Sequence, residues 1–158
     1  VAAEMTVTVK SDPKKWGNNE YSFIPVVNKK EYDKLTVYAF TRENFDNMTE
    51  EDIEKGPMPR LYNSSFSFGQ IEKGKIINAT FKIINEGKKP FCVYKLDVDA
   101  CTYSHSDIPV AQPGEEITFR VHIDTNDFPS GSCSKIVTLT TNSPLRPVMN
   151  LFINGIIK

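Results

Sequence analysis

Three cysteines and two histidines carry most of the chemistry open to this chain. Cys101, His105 and Asp107 fall on one short stretch. Thiolate, imidazole and carboxylate together suit zinc or copper, with His122 a further donor elsewhere. Their spacing matches no closed four-ligand site, and the competing reading is a surface loop with an incidental histidine. Ser104-His105-Ser106-Asp107 spells the letters of a hydrolytic triad. Nucleophile, base and orienting acid must converge from separate segments, however, and sequence neighbours do not align that way. GxSxG, HExxH and a glycine-rich phosphate loop are all missing. The chain is read as no enzyme, with no catalytic residue and no cofactor.

An odd number of cysteines leaves at least one unpaired within the chain. Cys92 shares a face with Tyr94, Leu96 and Val98 and is expected as a small buried hydrophobe. His122 falls on the polar register of its strand. Asp97 and Asp99 beside Lys95, and Asp124 with Asp127, offer carboxylates to calcium but lack the donor density of a liganding loop, so a solvated face is favoured. Trp16, Tyr62, Tyr103 and Phe128 make a platform for sugar or peptide only if they converge; otherwise they are core or loop anchors. The Asn-x-Ser/Thr triplets at Asn47, Asn63 and Asn78 are chance-level matches.

With 19 basic and 20 acidic side chains, net charge −1, the chain has no basic cluster to displace counterions from a phosphate backbone, which excludes nucleic acid as a partner. No apolar run approaches the ~18 residues of a transmembrane helix. Val1 is not a natural start, and the chain reads as mature or trimmed, so a missing leader says little about location.

The elements that must position these residues are strands. From Phe66 to Val98 three strands are expected, joined by turns at Glu72-Lys73-Gly74-Lys75 and Asn85 to Pro90. Each turn places a glycine where a hairpin needs positive φ, and antiparallel pairing in sequence order follows. Earlier, Met5 to Lys10, Tyr21 to Asn28 and Lys34 to Thr41 read as a three-stranded β segment. Thr49 to Pro57 reads as a short acidic helix, capped by Thr49, stopped by a left-handed Gly56 and closed by Pro57. Cys101 to Ser106 leaves the strand, and further strands follow at Ile117 to Asp124, Ile136 to Thr141 and Met149 to Ile157. About seven strands after residue 60 give an all-β, Greek-key sandwich.

The order and spacing of Phe66-Ser67-Phe68-Gly69, Ile71 and Gly74, Phe81, Asn85 and Gly87, and Pro90 to Val98 ending near Cys101 resemble the bacterial family called domain of unknown function 1573. Downstream, Pro113-Gly114-Glu115, the Asp124 to Gly131 loop, Thr141-Asn142-Ser143-Pro144 and Ile153-Asn154-Gly155 carry the same resemblance, over about residues 60–157. It implies an immunoglobulin-like domain, similar to major-sperm-protein and ASH-type modules. Residues 1–47 then resemble the closing half of a preceding domain of that type, 48–59 an acidic helical linker, and 60–158 the sandwich. The family often carries Cys-Gly-Cys after its third strand, whereas Cys101-Thr102-Tyr103 keeps only the first cysteine. In such a sandwich the loops holding Cys101 and Cys133 emerge at one end, which makes them a disulfide candidate and, if bonded, implies an oxidising compartment. The implied function is a structural or interaction module of a bacterial envelope or secreted multidomain protein, with protein as partner. A carbohydrate-binding module, and a metal-handling or redox protein using Cys101 and His105, are the alternatives.

Overall fold

The structure, a computed structural model, describes residues 4–10 and 12–158 and divides into two units, one ending at Thr41 and the other spanning Arg42–Lys158. The first unit is a long hairpin. β1 (Gly17–Phe23) is followed by the two-residue strands β2 (Val26–Val27) and β3 (Lys30–Glu31), and β4 (Leu35–Thr41) returns antiparallel to β1, from Gly17 opposite Thr41 to Phe23 opposite Leu35. At the tip Asn28 and Lys29 hold φ of 52° and 65°, a pair of left-handed residues that matches the strand twist. Met5 to Lys10 forms no strand, contrary to expectation. Its alternation expresses β propensity, but a strand also needs a ladder partner and a face to bury, and here all but Val9 are exposed. The sequence also predicts a turn around Ser11-Asp12-Pro13; Ser11 lies outside the described residues, and the Lys15 N–H to Asp12 carbonyl bond closes a turn just after it.

The second unit opens with α1 (Glu50–Glu54). Its Thr49 hydroxyl accepts from the Asp52 N–H and donates to the Asp52 carboxylate, as a capping pair should. Then follow β5 (Pro59–Leu61), β6 (Ser65–Ile71), β7 (Ile76–Asn85), β8 (Val93–Val98), β9 (Tyr103–His105), β10 (Glu116–Asp124), β11 (Gly131–Thr141) and β12 (Val148–Ile157). They form two four-stranded sheets, ordered β5-β7-β10-β9 and β6-β12-β11-β8, in an immunoglobulin-like sandwich. Inward residues of both sheets make one core: Ile77, Ala79, Phe81 and Ile83 of β7 and Ile117, Phe119, Val121 and Ile123 of β10 meet Val137, Leu139, Leu151 and Ile153. The Phe81 and Phe119 rings lie 5.8 Å apart, tilted, at its centre.

Three expectations change. β6, β7 and β8 do not pair with one another: β6 pairs with β12 in parallel, β7 with β5 and β10, and β8 with β11. Both turns are therefore corners between sheets. Turn residues signal reversal, and reversal across a sandwich looks the same in sequence as reversal within a sheet. Second, Gly74 has the expected positive φ (84°), but Gly87 and Gly56 are absent from the left-handed region. Close approach accounts for Gly87, because a Cβ there would sit 2.3 Å from the Gly56 carbonyl oxygen and 2.4 Å from the Met58 nitrogen. Third, the bulge between Thr140 and Thr141 shifts the phase of β8, so Phe91 and Val93 face the core in place of Cys92.

That close approach docks the segment after α1 onto the sandwich. Gly56, Pro57 and Pro59 are buried, and the buried Ser143 hydroxyl donates to the Pro57 carbonyl at 2.8 Å. Asn85, with no exposed surface, completes the joint. Its Oδ1 accepts from the Met58 and Gly87 N–H groups (3.2 and 3.0 Å), and its Nδ2 donates to the Lys89 and Ala111 carbonyls (2.8 and 3.0 Å). One carboxamide uses its whole bonding capacity to hold four backbone points together.

Candidate functional site

The metal candidates separate along the chain's passage from β8 to β10. Cys101 packs against the core, partly buried. His105 ends β9, its Nδ1 2.8 Å from the Ser106 carbonyl, and with Asp107 it lines a groove completed by Val93, Tyr94, Lys95, Leu96 and Ile108. His122 stands across β10, opposite both Ser104 and Asn78, with Nδ1 2.6 Å from the Asn78 Oδ1. Among the described residues no group of three or more His, Cys, Asp or Glu side chains is gathered that could hold a metal ion. The triad letters stay apart in function too, because the Ser106 hydroxyl accepts the Arg120 N–H at 3.0 Å. The carboxylates proposed for calcium are used locally: Asp97 pairs with Lys95 at 3.0 Å, and Asp124 accepts the Asn126 N–H.

The aromatic candidates within the sandwich do not form one platform. Tyr103 is on edge strand β9, with its hydroxyl donating to the Leu96 carbonyl at 3.0 Å, while Tyr62 follows β5 at the opposite edge of the same sheet. Phe128 is buried, under the Lys135 ammonium, which lies 4.7 Å from its ring centre. Trp16 belongs to the hairpin unit.

A charged cluster on the outer face around Tyr62 was not legible from spacing, since its members come from β5, β7 and β10. Arg60 and Lys82 flank the Tyr62 ring at 5.0 and 4.8 Å. Each cation also holds a carboxylate, Arg60 that of Glu86 at 2.5 Å and Lys82 that of Glu116 at 2.8 Å. Hydrogen bonds from Lys82 first and the Tyr62 hydroxyl second hold the Glu116 carboxyl below its ordinary range. All these groups are solvated, so the cluster orders a surface and adds little stability.

The thiols occupy two places. Cys92 is half-buried near Tyr94 and Glu43, and burial, then the Glu43 charge, push its thiol up. The Tyr94 hydroxyl donates to the Glu43 carboxylate at 2.5 Å. Cys101 follows the end of β8, next to Ala100 in the chain, and Cys133 starts β11 beside Lys135, whose ammonium donates to the Ala100 carbonyl. Burial raises both thiols above their ordinary range, the Lys135 ammonium opposes this in each, and the Cys133 charge acts on Cys101. Both are free thiols in the structure.

A family model described as protein of unknown function, DUF1573, matches residues 60–157, and the chain belongs to that family. No curated protein gives a significant match. Among solved structures, a protein of unknown function from Porphyromonas gingivalis is similar with a TM-score of 0.71 at 16% identity, over 92% of this chain and 68% of that one. The ASH/PapD-like domain of human CEP192, its PapD-like domain 7, is similar with a TM-score of 0.50 at 11% identity, over 73% of this chain and 94% of that domain. At such identities the likeness is one of fold. A match to 92% of the chain takes in part of the hairpin unit as well as the sandwich.

Proposed function

We propose that this DUF1573 member is a non-catalytic module of a bacterial envelope or secreted multidomain protein, holding loops and sheet edges for another protein chain to meet. One observation carries the reading. Among the described residues no group of three or more His, Cys, Asp or Glu side chains is gathered, while β8 and β9 stand as the edges of their two sheets beside the groove at His105, Asp107 and Ile108. Edge strands offer backbone groups to an incoming strand, which is how sandwich modules often meet partners. The ASH/PapD-like likeness supports this architecture.

The hairpin unit supports the multidomain part of the reading. Up to Thr41 only Gly17 is buried among the described residues, and Tyr38 and Val26 are 76% and 61% exposed. Two strands without a core are marginal in isolation. We therefore assign the hairpin unit, which ends at Thr41 and not at residue 47, to the closing part of a neighbouring domain of the full protein.

The module reading is tested by unfolding residues 42–158 alone beside the full chain, both followed by far-UV circular dichroism. The expected result is one cooperative transition at the same denaturant midpoint in each. A sandwich that loses its cooperative transition without residues 1–41 is not an autonomous module, and the reading fails. Glycan titrations of the full chain followed by isothermal calorimetry are expected to show no heat of binding.

A further inference from the structure

The passage from β8 to β9 carries the chain from one sheet to the other, and on it Cys101 packs onto the same core as Cys133 of β11. Val98 of β8 lies opposite Val137 of β11, and the Asp99 N–H continues that ladder to the Ile136 carbonyl at 3.2 Å. Lys135 then reaches the Ala100 carbonyl at 3.1 Å. Asp99 is thereby laid beside Ile136, and the Lys135 side chain ties the next residue, Ala100, to β11. At Ala100 the backbone takes a left-handed turn, φ 37°, and the next side chain, Cys101, packs onto the core. Cys133 packs onto that same core, 9% exposed. The Lys135 ammonium acts on both sulfurs. Cys92 lies apart, before the start of β8, with its N–H bonded to the Asn142 Oδ1.

We propose that Cys101 and Cys133 are an oxidisable dithiol that closes to an intramolecular disulfide by exchange with a disulfide-bearing oxidant. The more exposed Cys101 reacts first: its thiolate attacks one sulfur of the oxidant, the oxidant's S–S bond breaks, and one thiolate leaves and takes up a proton. The Cys133 thiolate then attacks the Cys101 sulfur of the mixed disulfide and expels the second thiolate. Two electrons pass from the two cysteine sulfurs to the oxidant, and the two thiol protons end on the two released thiols. The bond ties the inter-sheet crossover to β11, and with it the edge strands β8 and β9, while Cys92 stays a thiol.

Tryptic cleavage places each cysteine in its own peptide, Cys92 in 89–95, Cys101 in 96–120 and Cys133 in 121–135. The folded chain is treated with oxidised glutathione, denatured in an alkylating reagent and digested, with a parallel sample oxidised in concentrated urea. The expected result is alkylation of peptide 89–95 alone, with peptides 96–120 and 121–135 recovered as one species that reductant separates. In urea the pairings are expected to scatter among all three. Full alkylation of three thiols, glutathione retained on Cys101 with Cys133 alkylated, or a link that includes Cys92 would each overturn the proposal. No variant is needed, so a failure to fold cannot imitate any of these outcomes.

Discussion

Replacing Asn85 with alanine should weaken the sandwich more than its position beside a turn suggests. The change leaves the Gly87 and Met58 N–H groups without their acceptor in the joint between Gly56–Met58 and the sandwich. The two carbonyls suffer less, because the Ala111 oxygen still accepts the Phe91 N–H at 2.9 Å and the Lys89 oxygen is only partly buried. An orphaned buried donor costs about 1–3 kcal/mol, borne in full by the buried Gly87 N–H and in smaller part by the part-buried Met58 N–H, so the two together cost about 3–4 kcal/mol. For a urea slope of about 2 kcal/mol per molar, that moves the midpoint down by about 2 M. Far-UV circular dichroism is the proper probe, because Trp16 lies in the hairpin unit and reports that unit instead.

The isosteric Asn85→Asp variant sharpens the test. It keeps the oxygen facing the two N–H groups but turns a second acceptor toward the Lys89 and Ala111 carbonyls, and at neutral pH it adds a buried charge. Its folded pKa must rise above the unfolded value of about 3.9. Between those two values the folded state holds a proton that the unfolded state has lost, so stability falls as pH rises and recovers in acid. The expected order at pH 7 is wild type, then Asn85→Ala, then Asn85→Asp, with the last two converging or crossing toward pH 4. A loss below about 1 kcal/mol for alanine, or an aspartate variant as stable as wild type at pH 7, would refute the idea that the carboxamide is the joint's keystone.

The remaining predictions read the same packing elsewhere. Gly87→Ala should be far more damaging than Gly114→Ala in paired denaturant melts: the first Cβ meets Gly56 backbone at 2.3 Å, while Gly114, φ 80°, has open space and loses only about 1 kcal/mol to backbone strain. Gly155→Ala drives a Cβ to 2.3 Å from the Phe68 ring, so a Phe68→Leu change should partly rescue it, which a double-mutant cycle reads directly. Burial first, and the Glu43 carboxylate second, push the Tyr94 phenol well above its ordinary range. Its contribution to stability is therefore whole below pH ~10 and lost as pH rises further, a decline that Tyr94→Phe should reduce in alkaline melts. Closing Cys101 to Cys133 makes a loop of 33 residues, and the chain-entropy model gives the oxidised form about 4 kcal/mol over the reduced one in matched urea titrations.

What sequence reveals here follows from what repeats along the chain. Alternation at Ala79, Phe81 and Ile83 and again at Ile117, Phe119, Val121 and Ile123 identifies strands whose inward residues all reach the core, because a two-residue period is a property of each strand by itself. Pairing is a property of two strands. Glu72 to Lys75 and Asn85 to Pro90 mark reversals correctly, yet neither records whether the chain turns beside its own strand or crosses to the facing sheet. The same limit explains the residues missed. Gly87 resembles any turn glycine until Gly56 and Met58 are packed on it, and Asn85 resembles a turn asparagine until four backbone groups converge on its carboxamide. Cys92 misses the core for a related reason: a single bulge at Thr140/Thr141 moves it out of the core's phase, while Cys133 enters β11 on the inward side. Sites built from one strand's period are legible in advance, and sites built from the meeting of strands require the meeting. The dispersal of His105, His122 and Asp107 and the convergence of Cys101 with Cys133 are both of the second kind, which is why oxidation of the folded chain is the decisive measurement.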